Sequence, residues 1–196
     1  MNKRKMSIKI SFNSPVILAF VAVCFATFLL DKITGGIANR VAFSVYRSSL
    51  LSPLTYLRFI GHIFGHANWE HLIGNMTMIL LVGPLLEEKY GSVFMIEVIG
   101  VTAVVTGLIH FIIFPHTGLL GASGVVFALI LLSSLTGIEE GKIPATFILV
   151  AAIYIGGQIY DGILVRDNVS NLTHIVGGAV GGFMGCTLNK VKILSR

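Results

Sequence analysis

The sequence predicts an all-α polytopic membrane protein with six transmembrane helices, on three observations. Of its 196 residues, 55% are hydrophobic and 12% charged, and the mean hydropathy is +0.88, a balance suited to lipid rather than water. Apolar runs bounded by charge, Pro or Gly occupy nearly all of the chain and leave no room for a separate soluble domain. Barrel-strand alternation is absent. Backbone groups in hydrocarbon must be satisfied within the spanning element, so the spans are helices.

Residues 1–14 read as a basic cytoplasmic tail with Lys3, Arg4 and Lys5. The run from Val16 to Leu30 has no small-x-small cleavage site before Asp31 and is followed by further spans, which predicts a signal anchor rather than a removable leader. Spans are predicted near 15–30, 71–87, 93–113, 123–136, 143–160 and 171–189, in one membrane domain over 15–189 followed by a cytoplasmic tail over 190–196. Several are shorter than the roughly 20 residues that cross a bilayer upright, which implies local thinning or sunken ends. The longest break, from Asp31 to about Glu70, is long enough to carry structure or function of its own.

Charge sets the orientation. With both termini cytoplasmic, Lys3, Arg4, Lys5, Lys9, Lys89, Lys142, Lys190, Lys192 and Arg196 lie inside, against Lys32, Arg40, Arg47, Arg58 and Arg166 outside, as the positive-inside rule favours. The net charge of +5 therefore reflects span ends and not a nucleic-acid surface. Cys24 and Cys186 sit in apolar segments without zinc or redox spacing and read as packing residues.

In this orientation the second, fourth and sixth spans all run inward, so their N-terminal ends share one depth near the outer face. His71 and Asn75 open the second, Ser123 the fourth, and Asn171 and His174 the sixth. Polar groups at that depth must pair or line a wet cavity, which marks the layer as a functional candidate. Ser123 lies in Gly121-Ala122-Ser123-Gly124, after the apolar loop Thr117-Gly118-Leu119-Leu120. Glycines there permit tight turns and close approach of a substrate chain. A serine in the first turn of a helix is surrounded by free backbone N–H groups and the positive end of the dipole, a setting that stabilises an oxyanion if the serine attacks a carbonyl. His71 and Asn75, four apart on one face, are further donors, and His174 is the best-placed base. Gly177, Gly178, Gly181 and Gly182 follow it at spacings that admit a close neighbouring helix. His110 and His116 read as headgroup-region residues at a span end.

On these motifs the sequence resembles the rhomboid family of intramembrane serine proteases: its G-x-S-G reads Gly121-Ala122-Ser123-Gly124, its histidine followed by glycines reads His174-Ile175-Val176-Gly177-Gly178, and its H-x-x-x-N reads His71-Leu72-Ile73-Gly74-Asn75. The likeness runs from about Pro15 to Asn189 and is nearest the compact bacterial six-helix form. It implies a Ser123–His174 dyad without an acidic third member or any cofactor, and an oxyanion hole from the Ser123 N–H, His71 and Asn75. Substrates would be single-pass or polytopic membrane proteins reached through lipid, and the location a bacterial cytoplasmic membrane. His66 matches a family histidine in the first loop, Arg58 the arginine of a Trp–Arg pair, and Glu87 a polar turn read as structural, while 161–170 corresponds to a capping loop. Two departures stand out: the tryptophan of that pair is Leu57, and the tyrosine expected to stack on the catalytic histidine is Phe127, which keeps the ring and loses a hydroxyl.

Three other readings compete. A metal-dependent protease needs an H-E-x-x-H helix, whereas Glu70-His71-Leu72-Ile73-Gly74-Asn75 supplies one candidate ligand. A small transporter would use glycine-rich spans with buried polar groups, but no internal repeat is present. A non-proteolytic, client-binding relative would typically lack the serine or histidine that this chain has.

Overall fold

The computed structural model describes residues 12–135, 145–146, 148–153, 156 and 168–194, with side chains described for 171–188 of the last stretch. Seven α-helices are bounded within them: α1 (Pro15–Ile33), α2 (Ile37–Val41), α3 (Pro53–Gly61), α4 (Trp69–Tyr90), α5 (Ser92–Ile113), α6 (Ser123–Ser134) and α7 (Asn168–Leu194), with a 3-10 turn over His62–Phe64 after α3. Helices α1, α4 and α5 are each long and apolar enough to cross a membrane. Of the span predicted over 143–160, residues 145–146, 148–153 and 156 are helical; the rest lies outside the described residues, as does most of the capping loop predicted over 161–170. Helix α7 continues to Leu194, past the end predicted at 189.

Helices α1 and α4 begin where a polar side chain takes orphan amides of the first turn. Pro15 starts α1 without a cap from Ser14. Instead Glu87, buried near the end of α4, accepts from the amides of Val16 and Ile17 at 3.0 Å each, and Ser92 Oγ donates to the same carboxylate at 2.6 Å. This binds the start of α1 to the α4–α5 turn. Helix α4 opens on Asn68, whose Oδ1 accepts from the His71 amide at 2.8 Å. It ends at Gly91, whose φ of +86° reverses the chain into α5.

Lipid tails are as apolar as leucine, so helices in a bilayer associate through close packing of small residues. A side chain on Gly83 would run into Ile17, which keeps α1 and α4 close. Ile17, Cys24, Leu72, Ile79, Met95 and Leu129 lie in the buried core that joins α1, α4, α5 and α6. Helix α7 packs mainly on α6, with Gly177 against the backbone of Gly124 and Gly181 against that of Ala128.

The long connection between α1 and α4 is ordered and packed. Val45 and Leu119 form an antiparallel bridge with N–H to O distances of 2.9 and 2.8 Å, and these two residues join Phe59 and Phe111 in a second buried cluster. Arg58 is buried, donates from Nε to the Val41 carbonyl at 2.9 Å and lies 4.3 Å over the Tyr46 ring. Leu57, in the place of the expected tryptophan, is exposed. Two expectations are corrected. His110 is buried rather than set among headgroups, because the loop after α5 folds back and puts the Thr117 carbonyl 3.1 Å from its Nε2. Of the two cysteines, Cys24 is buried in the core but Cys186 is exposed.

Candidate active site

Three helix starts meet at one cavity of about 320 Å³, lined by His71, Asn75 and Met78 of α4, Ser123, Val126, Phe127 and Ile130 of α6, and His174 of α7. Ser123 is the first residue of α6. No side chain caps this helix, and its first backbone bond is Val126 N–H to Ala122 C=O at 2.9 Å, so the amides of Ser123, Gly124 and Val125 precede the hydrogen-bonded ladder. They give the first turn its positive end. At about 1.5 Å per residue α6 spans roughly 18 Å against the roughly 30 Å of a hydrocarbon core. Helix α6 is thus an apolar helix shorter than α1, α4 and α5.

Gly121 shapes the approach to the serine. Its φ is +130°, outside the range of ordinary side chains, and a Cβ there would stand 2.6 Å from His71 Nε2 and 3.8 Å from Asn75 Nδ2. Its amide is donated to the His62 carbonyl at 2.9 Å. Gly121 thus gives room for the two α4 side chains and fixes the backbone ahead of Ser123, while its own N–H is already used.

His174 is half-buried, with its ring 4.5 Å from that of Phe127. Phe127 therefore provides the aromatic contact expected at this position without a hydroxyl. Gly177 lies one turn beyond His174 and Gly124 one residue beyond Ser123, so the Gly177–Gly124 contact holds the two helix starts together. Asn171, predicted in the same polar layer, is buried on α7 but does not line the cavity, and its Nδ2 has no partner among the described residues.

Behind the cavity stands a layer of histidines. His66 is fully buried, with Nε2 3.2 Å from Asn75 Nδ2 and Nδ1 3.2 Å from the Phe64 carbonyl. Burial pushes His66 down to about 4, and the neighbouring His71 adds to this. His62 is pushed down to about 4 chiefly by burial; its ring bridges the Arg58 carbonyl and Thr106 Oγ1 at 3.2 Å each. Both are neutral at physiological pH and serve as fixed hydrogen-bonding groups. Asn39 ties this layer to α1, donating from Nδ2 to the His66 carbonyl at 3.1 Å and from its amide to Asp31 Oδ1 at 2.8 Å. Sequence reasoning missed Asn68, Asn39, His62 and Thr106. For Asn68 a signal existed, an Asn immediately before an apolar helix; the others depend on contacts that no spacing announces.

A family profile described as Rhomboid domain matches residues 53–191. Rhomboid-related protein 1 of Caenorhabditis elegans is 35% identical over 138 residues, covering 65% of this chain and 38% of its own. Rhomboid-related protein 2 of Mus musculus is 32% identical over 161 residues, 71% of this chain and 53% of its own. Rhomboid protease GluP of Bacillus subtilis is 30% identical over 172 residues, 84% of this chain and 32% of its own. The chain spans about a third to a half of the length of these relatives. The profile takes in every residue that lines the cavity and well over half of the sequence, and the chain belongs to the rhomboid family of integral membrane proteins.

Proposed function

We propose that this chain is an intramembrane serine endopeptidase that hydrolyses peptide bonds in or next to transmembrane segments of other membrane proteins. The observation that carries the reading is the convergence of Ser123, His174, His71 and Asn75, from three helices, on one cavity. Ser123 Oγ attacks the scissile carbonyl while His174 takes its proton. The tetrahedral oxyanion is held by the Ser123 amide, His71 and Asn75, in a setting where the start of α6 already favours negative charge. His174 then protonates the leaving amine. A water activated by the same histidine releases the acyl group and restores the serine. No cofactor takes part.

The six-span bundle over 15–189, with both termini cytoplasmic in a bacterial membrane, belongs to this reading. It places the cavity toward the outer side, where water reaches it, and substrates approach through lipid. The kinship with a protein named rhomboid protease supports it. The test is labelling of detergent-purified protein with a fluorophosphonate. Wild type labels, and Ser123→Ala and His174→Ala do not; a folded wild type that fails to label overturns the assignment.

A further inference from the structure

Asn75 reaches the cavity with a side chain whose two ends differ only in N and O. Which end faces the reacting carbonyl decides whether the residue helps or harms, since an N–H stabilises an oxyanion and a carbonyl oxygen repels it. Nothing in Asn75 itself fixes that choice, but its neighbour does.

His66 Nδ1 faces the Phe64 carbonyl at 3.2 Å. A carbonyl only accepts, so the ring proton sits on Nδ1. In the neutral imidazole Nε2 is then a bare lone pair, and it lies 3.2 Å from the Asn75 amide nitrogen. Only a donor is stable opposite it, so the Asn75 NH₂ must point that way. One of its two N–H bonds goes to His66. The other leaves the same nitrogen, which stands 3.8 Å from the Cβ position of Gly121, and Asn75 is among the residues that line the cavity.

Resting on the protease reading above, we infer that His66 is a positioning residue: its Nδ1-protonated tautomer locks the Asn75 carboxamide with its nitrogen between His66 and Gly121 and leaves one N–H for the oxyanion. The surroundings hold His66 in place. Its carbonyl accepts from Asn39 Nδ2 at 3.1 Å, and the Asn39 amide is bound by Asp31 at 2.8 Å. Its ring meets His71 edge-on at 5.1 Å, and the side chain has no solvent exposure. Burial also keeps His66 uncharged at neutral pH. The charged ring, a donor at both nitrogens, would favour the reversed carboxamide.

The test has a spectroscopic and a kinetic arm. Nitrogen-15 NMR of histidine-labelled protein in micelles, with His66 assigned through its loss in His66→Gln, reads the tautomer directly; a proton on Nε2 overturns the inference whatever the protein's activity. In the kinetic arm the probe is the fluorophosphonate, whose phosphoryl oxygen occupies the oxyanion site. His66→Leu lowers the maximal labelling rate about 10- to 100-fold and leaves half-saturation within about twofold, as loss of one oxyanion donor does. The same change made in Asn75→Ala adds nothing. His66→Gln, which accepts from Asn75 through Oε1 and donates through Nε2, recovers most of the rate even if the leucine variant fails to fold. Losses that multiply with Asn75→Ala, or a glutamine variant that folds but labels as poorly as Asn75→Ala, overturn the inference. Absent labelling in folded wild type counts against the protease reading instead, and leaves the tautomer to be decided by NMR.

Discussion

Gly177 of α7 lies against the backbone carbonyl of Gly124 on α6, so close that a Cβ on Gly177 would overlap it. Neither helix can retreat without carrying its start, and with it Ser123 or His174, away from the shared cavity. Gly177→Ala is therefore expected to lower the melting temperature and to abolish fluorophosphonate labelling even below the new midpoint. Gly181→Ala, which meets the Ala128 carbonyl in the same way, should also destabilise. Gly182 has nothing within 4 Å of its Cβ position, and Gly182→Ala should be tolerated in both assays. Equal tolerance at 177 and 182 would refute the contact.

His71 and Asn75 are proposed to meet the substrate only once the oxyanion has formed. Interactions made in the transition state alone affect kcat, whereas uniform binding affects KM. His71→Ala and Asn75→Ala should each reduce kcat on a membrane-embedded substrate about 10²-fold with KM little changed. A rise in KM at constant kcat would instead make them ordinary substrate contacts.

Glu87 serves stability from the far end of α4. Its carboxylate accepts from two amides of α1 and from Ser92, and hydrogen bonds to a charged group contribute about 1.5–3 kcal/mol each. Glu87→Ala should lower the melting temperature in detergent by several degrees, with Glu87→Gln intermediate because it keeps one acceptor. If Glu87→Ala melts with wild type, the start of α1 is held by other contacts.

Much of this architecture was legible in the sequence because lipid enforces a simple rule: every spanning segment is an apolar helix. That rule located α1, α4 and α5 to within a few residues. Ser123, His71, Asn75 and His174, read from the sequence as polar residues near helix starts, line one cavity. The start of α4 fell at Trp69 rather than His71 because Asn68 caps it. What stayed hidden is the folding of the long connection. The Val45–Leu119 bridge and the Asn39–His66 bond join residues far apart in sequence, and neither repeats with any period. His110 was misplaced for the same reason: the sequence shows where a span ends but not that the next loop turns back over it.

The neutral histidines behind the site make stability depend on pH with a definite sign. His62 and His66 are each pushed from 6.5 down to about 4, so between these values the unfolded chain binds protons that the folded protein refuses. Stability is full above about pH 6.5, declines as pH falls through the window, and levels off below about 4, where both states are charged. The effect is on the order of 3 kcal/mol for each of the two. Melting temperatures in detergent at pH 7.5, 5.5 and 4.5 measure it, and carboxylates that titrate nearby are subtracted by comparison with a His62→Gln, His66→Gln double variant. Wild type should lose stability on acidification faster than the variant. Parallel curves would mean that the two rings take up protons in the folded protein as readily as in the unfolded chain, and would overturn burial as a force that holds them neutral.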